Sequence, residues 1–254
     1  MIFCCCKQPC TMGFYSYIFP SYSSLNIKFI PITTINELET KKDQIKVLIN
    51  LVYGCYYGSR YQYYNSGILK EFIENGGIYM VNKEWDNCYT ASNLVWGDQS
   101  SYRPNQGCFP KNITAFDDHM SSIGCSITSG ISTASVDRQY TIAPNAVNWK
   151  IFDKAPSNSF GGDATCELKG GTPLLLANTN SAIQYCGSAN LIPPNQNLAT
   201  CVAEKIGDGL VIAFGDVNTV LSPYFYKNLC KYKAKELLEP IDTYPSESQN
   251  NPLP

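Results

Sequence analysis

Residues 68–85 read ILKEFIENGGIYMVNKEW, and they restrict the folds open to this chain more than any other stretch. Ile68, Leu69, Phe72 and Ile73 recur at helical spacing, Gly76-Gly77 stops the helix, and Ile78-Tyr79-Met80-Val81 is an apolar run of strand length. Upstream, residues 45–52 (IKVLINLV) are almost continuously apolar, as in a strand of a parallel sheet covered on both faces. Strand, loop, helix and strand in this order predict a right-handed βαβ unit. Open α/β sheets gather their chemistry at the carboxyl ends of the strands. Asn82-Lys83-Glu84-Trp85 therefore falls where a catalytic residue is expected, yet neither Cys nor Ser stands in that corner.

The remaining pattern extends this unit. Residues 27–32 (IKFIPI) alternate like a strand, and INELETKKDQ behind them is a charged connector able to hold a short helix. Residues of about 86–145 read as an irregular insertion carrying Cys88, Pro104, Cys108 and a helix over 114–123. In the carboxyl half, strands are predicted over 147–152, 173–177, 182–185, 200–203 and 210–214, closely spaced with turn residues between the later ones, as in antiparallel hairpins. Phe225, Leu229, Tyr232 and Leu237 then predict a closing helix over 223–238. The expectation is one α/β domain over 25–239 with a mostly parallel sheet flanked by helices and an antiparallel extension in its C-terminal half. A poorly defined Cys-rich segment (1–24) precedes it, and a Pro- and polar-rich stretch (240–254), whose composition predicts a disordered tail, follows.

A chain of 254 residues with 44% hydrophobic residues can bury one large core. Its net charge of −2 includes no dense basic run to track a phosphate backbone, so nucleic acid is not expected as a partner. Only 16% of residues are charged while Tyr numbers 18, a surface that suits an extracellular or lumenal protein. Cysteine use points the same way. Of 12 cysteines, Cys4, Cys5, Cys6 and Cys10 crowd the amino terminus, and Cys55, Cys88, Cys108, Cys125, Cys166, Cys186, Cys201 and Cys230 are dispersed. An even, dispersed set fits disulfides, with buried free thiols as the alternative. None of the dispersed pairs has Cys-x-x-Cys spacing and His119 is the only histidine, so neither a metal site nor a cofactor is expected. Asn112-Ile113-Thr114 is a glycosylation sequon. MIFCCCKQPC lacks the apolar core of a secretory signal, and no later run is long enough to span a membrane. The cysteine-rich start reads either as a misassigned gene end or as an S-acylation cluster.

The order of these pieces resembles the class I glutamine-amidotransferase-like superfamily in its divergent, non-amidotransferase branches. The likeness is carried by LKEFIENGGIYMV, GTPLLLAN, GDGLVIAFGDVNTV and a final helix, and covers residues of about 27–238. It implies a flavodoxin-like fold. In active members a Cys follows the strand that is here 78–81, and a His and a Glu follow the last strand. Those places fall near Lys83-Glu84 and near Asp216-Val217-Asn218, so the triad is not matched and glutamine hydrolysis is expected to fail. Such a pseudoenzyme would serve as a binding or structural module.

Several residues can be weighed for a site. Gly54-Cys55-Tyr56-Tyr57-Gly58 has the outline of a nucleophile elbow, with its Cys out of register, and Cys55 needs His119 as a base brought over the strand ends. His119 itself, within FDDHM, reads as a surface helix residue. Glu84 is a candidate general base or a solvated carboxylate, and Asp216 a ligand or a turn cap. Tyr56, Tyr57 and Arg60, in a loop crowded with tyrosines, together with Trp85 and Asn218, suit a glycan or protein ligand, with half-buried loop packing as the alternative for the tyrosines. The leading expectation is a non-catalytic recognition or structural module with its ligand in the strand-end crevice. The alternative is a hydrolase acting on a sugar or amide bond through Cys55 or the carboxylates Glu84 and Asp216.

Overall fold

The computed structural model describes residues 2–5, 29–32, 35–50, 67–83, 111–133, 139–162, 165–178, 197–215, 219 and 221–242. The strands are β1 (Ile2–Cys5), β2 (Phe29–Ile32), β3 (Val47–Asn50), β4 (Ile78–Asn82), β5 (Thr128–Thr133), β6 (Thr141–Ile142), β7 (Thr165–Lys169), β8 (Thr172–Asn178), β9 (Asn197–Ile206) and β10 (Gly209–Phe214). The helices are α1 (Ile35–Lys41), α2 (Gly67–Glu74), α3 (Lys111–Ser122) and α4 (Pro223–Lys231). Among the described residues one mixed sheet runs in the order β2-β1-β3-β4-β10-β9-β8-β6, and β5 pairs with β7 in a separate ribbon. Pairings from β2 through β10 are parallel, whereas β10-β9, β9-β8 and β8-β6 are antiparallel. The fold is thus α/β with an antiparallel extension contributed by the carboxyl half.

The central strands are buried on both faces, which is why their sequences are nearly all apolar. Val47, Ile49, Ile78, Met80, Leu210 and Ile212 face a core closed by Phe225 and Leu229 of α4 and by Ile151 and Phe152. Their alternate neighbours Leu48, Tyr79, Val81, Val211 and Ala213 face the other core. There they meet Leu38 of α1, Leu69, Phe72 and Ile73 of α2, Phe116 and Met120 of α3, and Leu168 of β7. Helices and the β5–β7 ribbon therefore cover one face, and α4 with the irregular 139–162 segment covers the other.

The α2–β4 junction follows the sequence closely. Gly76 adopts φ 97°, the left-handed conformation that glycine reaches without a Cβ clash. Its N–H donates to the Ile73 carbonyl (2.9 Å) and that of Gly77 donates to the Phe72 carbonyl (3.0 Å), the paired bonds of a Schellman stop. A Cβ on Gly77 would meet the Phe72 ring at 2.5 Å, so the second glycine is required by packing.

Two sequence expectations change. The strand predicted over 147–152 is instead a turn followed by a 3-10 segment, Lys150–Phe152. Its backbone is satisfied elsewhere: Lys150 N–H donates to the Glu239 carbonyl (2.8 Å) and Ile151 N–H to that of Leu237 (3.0 Å). Consecutive Ile151 and Phe152 are both buried, which a two-sided strand alternation would not allow on one core. The closing helix ends at Lys231, and the chain turns before another 3-10 segment, Ala234–Glu236. The strand expected over 182–185 lies outside the described residues. At the carboxyl end, Pro240 bridges to Trp149 and Ile241 N–H donates to the Asn148 carbonyl (2.7 Å).

Candidate functional site

β3, β4 and β10 are neighbouring parallel strands, so their carboxyl ends lie side by side. Chain connectivity starts the tyrosine-rich loop from β3, Glu84-Trp85 from β4 and Asp216-Val217-Asn218 from β10. Cys55, Tyr56, Tyr57, Arg60, Glu84, Trp85, Asp216 and Asn218 themselves lie outside the described residues. Asn112 belongs to the first turn of α3.

The described part of this corner is a buried polar knot. Lys83 N–H donates to the Phe214 carbonyl (2.6 Å), which ties the end of β4 to the end of β10. Cys166 N–H of β7 donates to the Gly215 carbonyl and Gly215 N–H to the Thr200 carbonyl, each at 2.8 Å. The start of β7 thereby crosses the end of β10 so closely that a Cβ on Gly215 would lie 1.9 Å from the Cys166 carbonyl oxygen. Thr165 and Thr200 hydroxyls share a hydrogen bond of 2.5 Å beneath it. Into this knot points Lys83, only 2% exposed, its Nζ donating to Cys166 Sγ at 3.6 Å. Lys83 is thus a buried amine lying beside a buried thiol. Sequence reasoning placed Lys83 in the strand-end corner and Cys166 among the dispersed cysteines, but gave neither a role there. The signal was available, because strand alternation puts residue 83 on the same inward face as Tyr79 and Val81.

His119 is not a surface residue: it has no exposure, and Tyr79 Oη lies 2.8 Å from its Nε2 with the rings 5.7 Å apart and steeply inclined. Burial lowers its pKa from 6.5 to about 4, so the ring is neutral at ordinary pH. The imidazole is held against Tyr79, three residues short of Asn82 and so about 10 Å back from the strand end at ordinary strand rise. A thiol at the strand ends would not find its base there.

The disulfide expectation is corrected for four cysteines: Cys125, Cys166, Cys201 and Cys230 are free thiols. Each is used in packing or local hydrogen bonding. Cys201 is fully buried in the sheet core, and burial holds its pKa well above the usual thiol value. Cys125 Sγ donates to Glu204 Oε2 (3.3 Å), the same carboxylate oxygen that accepts from Ser126 N–H and Oγ at 2.8 Å each. Burial raises the Cys125 pKa. Burial raises the Cys230 pKa as well, so none of Cys125, Cys201 and Cys230 is poised as a thiolate nucleophile by a lowered pKa. Among the described residues no helix is long and apolar enough to cross a membrane.

The chain matches no protein-family model and no curated protein. Among solved structures it is similar to the β-galactosidase of Rahnella sp. R3, at 10% identity and a TM-score of 0.46, over 91% of this chain and 30% of that one. It is similar at the same identity and TM-score to the β-galactosidase of Halorubrum lacusprofundi, over 94% of this chain and 30% of that one. The β-galactosidase from Bacillus circulans sp. alkalophilus matches at 12% identity and a TM-score of 0.43, over 91% and 30%. The chain thus spans about 30% of the length of these neighbours, and likenesses with such TM-scores carry no argument about its activity.

Proposed function

We propose that this chain is a non-catalytic recognition or structural module, a divergent and flavodoxin-like member of the amidotransferase-like superfamily. Its ligand, a glycan or another protein, would meet Tyr56, Tyr57, Arg60, Glu84, Trp85, Asp216 and Asn218 at the carboxyl ends of the parallel strands. The observation that carries this reading is the sealed corner: Lys83 is buried against Cys166 where relatives expose a thiol, and the only histidine is spent on Tyr79. The strand order supports the fold part of the proposal. Taken in chain order, the parallel strands β1, β2, β3, β4 and β10 lie as 2-1-3-4-5, the flavodoxin sequence. In that arrangement the loop after β3 leaves from the topological switch point, where such folds bind ligands. An extracellular or lumenal location belongs to the same proposal.

Trp85 gives a direct readout. Its fluorescence, isolated in a variant in which the other two tryptophans, Trp96 and Trp149, are replaced by Phe, is to be followed during titration with cello-, xylo- and chito-oligosaccharides. The expected result is a saturable change with at least one series that Tyr57→Ala weakens about tenfold, the worth of one stacking contact at about 1.4 kcal/mol. A flat response to all three series would remove the glycan form of the proposal and leave the protein-ligand form.

A further inference from the structure

The opposite end of the sheet holds a second feature. A cavity of about 600 Å³ lies at the amino ends of β3, β4 and β10, lined by Ile45-Lys46, Gly76-Gly77 and Asp208, the residues that lead into those strands. Its volume is that of a small-molecule site. Four lysines line it: Lys42 and Lys46 from the α1–β3 connection, and Lys233 and Lys235 from the chain after α4. Three carboxylates line it as well, Asp43, Glu71 and Asp208.

The pairing among these groups decides what the cavity can hold. Lys42 Nζ is 2.6 Å from Glu71 Oε1, and Lys235 Nζ is 3.2 Å from Asp208 Oδ1, so two of the ammonium groups are neutralised in place. Lys46 and Lys233 have no carboxylate within ion-pair distance among the described residues. Lys46 Nζ instead donates to the carbonyl of Cys230 in the last turn of α4 (2.8 Å), and Glu236 accepts from the backbone N–H of Lys233 (3.3 Å). With the ion pairs set aside, the lining keeps two ammonium groups against the single exposed carboxylate of Asp43.

We propose that this cavity binds a small multiply charged anion, a phosphorylated or polycarboxylate metabolite-sized molecule, with Lys46 and Lys233 as its charge partners. A carbonyl dipole satisfies one hydrogen of the Lys46 ammonium but not its charge. The half-buried amine is held below the ordinary lysine pKa by loss of water, which Cys230 and the Glu236 carboxylate only partly offset, and an anion in the cavity would relieve that cost. Lys233, exposed at the other wall, closes on the ligand from the chain segment that follows α4. The site is independent of the recognition surface proposed at the strands' carboxyl ends, so either can fail without the other.

The test is a thermal-shift titration of the full chain with sodium pyrophosphate and, separately, with sodium citrate, at ionic strength held constant with NaCl. A saturable rise in Tm in the pyrophosphate arm alone assigns a phosphate ligand, in the citrate arm alone a carboxylate ligand, and in both the shared charge. Lys46→Gln and Lys233→Gln are each expected to weaken the apparent affinity at least about tenfold, whereas Lys169→Gln, exposed on β7 and not in the lining, leaves it unchanged. Because Lys233 is exposed, Lys233→Gln keeps the ligand-free Tm of the wild type and separates loss of the site from loss of the fold. Tm values that track the NaCl-matched control in both arms, or a Lys233→Gln protein that titrates like wild type, overturn the proposal.

Discussion

Phe116, His119, Met120 and Ile123 fall at i, i+3, i+4 and i+7, and all four are buried on the sheet-facing side of α3 and the turn after it. His119 therefore belongs to an apolar stripe. The acidic neighbours Asp117 and Asp118 disguised it, although the stripe was readable by counting. Its neutral ring is bonded to Tyr79, and its pKa is lowered from 6.5 to about 4, so between these values the unfolded chain binds a proton that the folded one does not. Stability from this residue is complete above pH 6.5 and falls as pH drops toward 4, by on the order of 3 kcal/mol in all. Urea unfolding between pH 4.5 and 7.5 is expected to show that loss, and His119→Gln to flatten it; an equal slope in both proteins would refute the assignment. Lys83 is the second buried group that register alone could have revealed. Lys83→Ala should cost about 2–4 kcal/mol through the void it leaves, while Lys83→Met, which keeps the stem, should cost under about 1.5. Denaturation midpoints that put the two equally low would mean that the ammonium, not the stem, holds the corner.

At the level of elements, what could be read from sequence was what local chemistry dictates. β3, β4 and β10 announce themselves because both faces are covered and nearly every position is apolar. The α2 stop is written in Gly76-Gly77. Its second glycine is fixed by the Phe72 ring and the Phe72 carbonyl oxygen, each 2.5 Å from an added Cβ, so Gly77→Ala is expected to lower stability by about 1–3 kcal/mol in urea melts; a neutral result would show that both the ring and the backbone can give way. By contrast, β5 (TSGIST) and β7 (TCELK) carry small and polar residues, and their strand character comes from each other across more than thirty intervening residues. The stretch at 147–152 erred the other way. Its apolar residues are buried, but its carbonyl and N–H partners lie at Leu237 and Glu239, which no local pattern predicts. The same limit applies to the strand-end knot: Lys83, Cys166, Thr200 and Gly215 come from four distant segments.

For the whole molecule, the sheet sets two ends with different chemistry: a corner at the carboxyl ends closed by β7, and an open lysine-lined cavity at the amino ends. The dispersed cysteines were legible as a set but not in their state, since a free thiol in a core and a half-cystine have the same spacing. In native protein, Cys125, Cys166 and Cys201 should resist iodoacetamide and react once the chain is unfolded, without any reductant. Peptide masses showing any of them bridged would contradict the packing described above. The central claim is that the strand-end corner recognises but does not hydrolyse. Its most direct test compares the wild type with the triple variant Cys55→Ala, Glu84→Gln, Asp216→Asn for ammonia release from glutamine and nitrophenol release from nitrophenyl glycosides. The prediction is that both proteins stay at the same background rate on every substrate. Turnover by the wild type that the triple variant loses would show a working hydrolase instead.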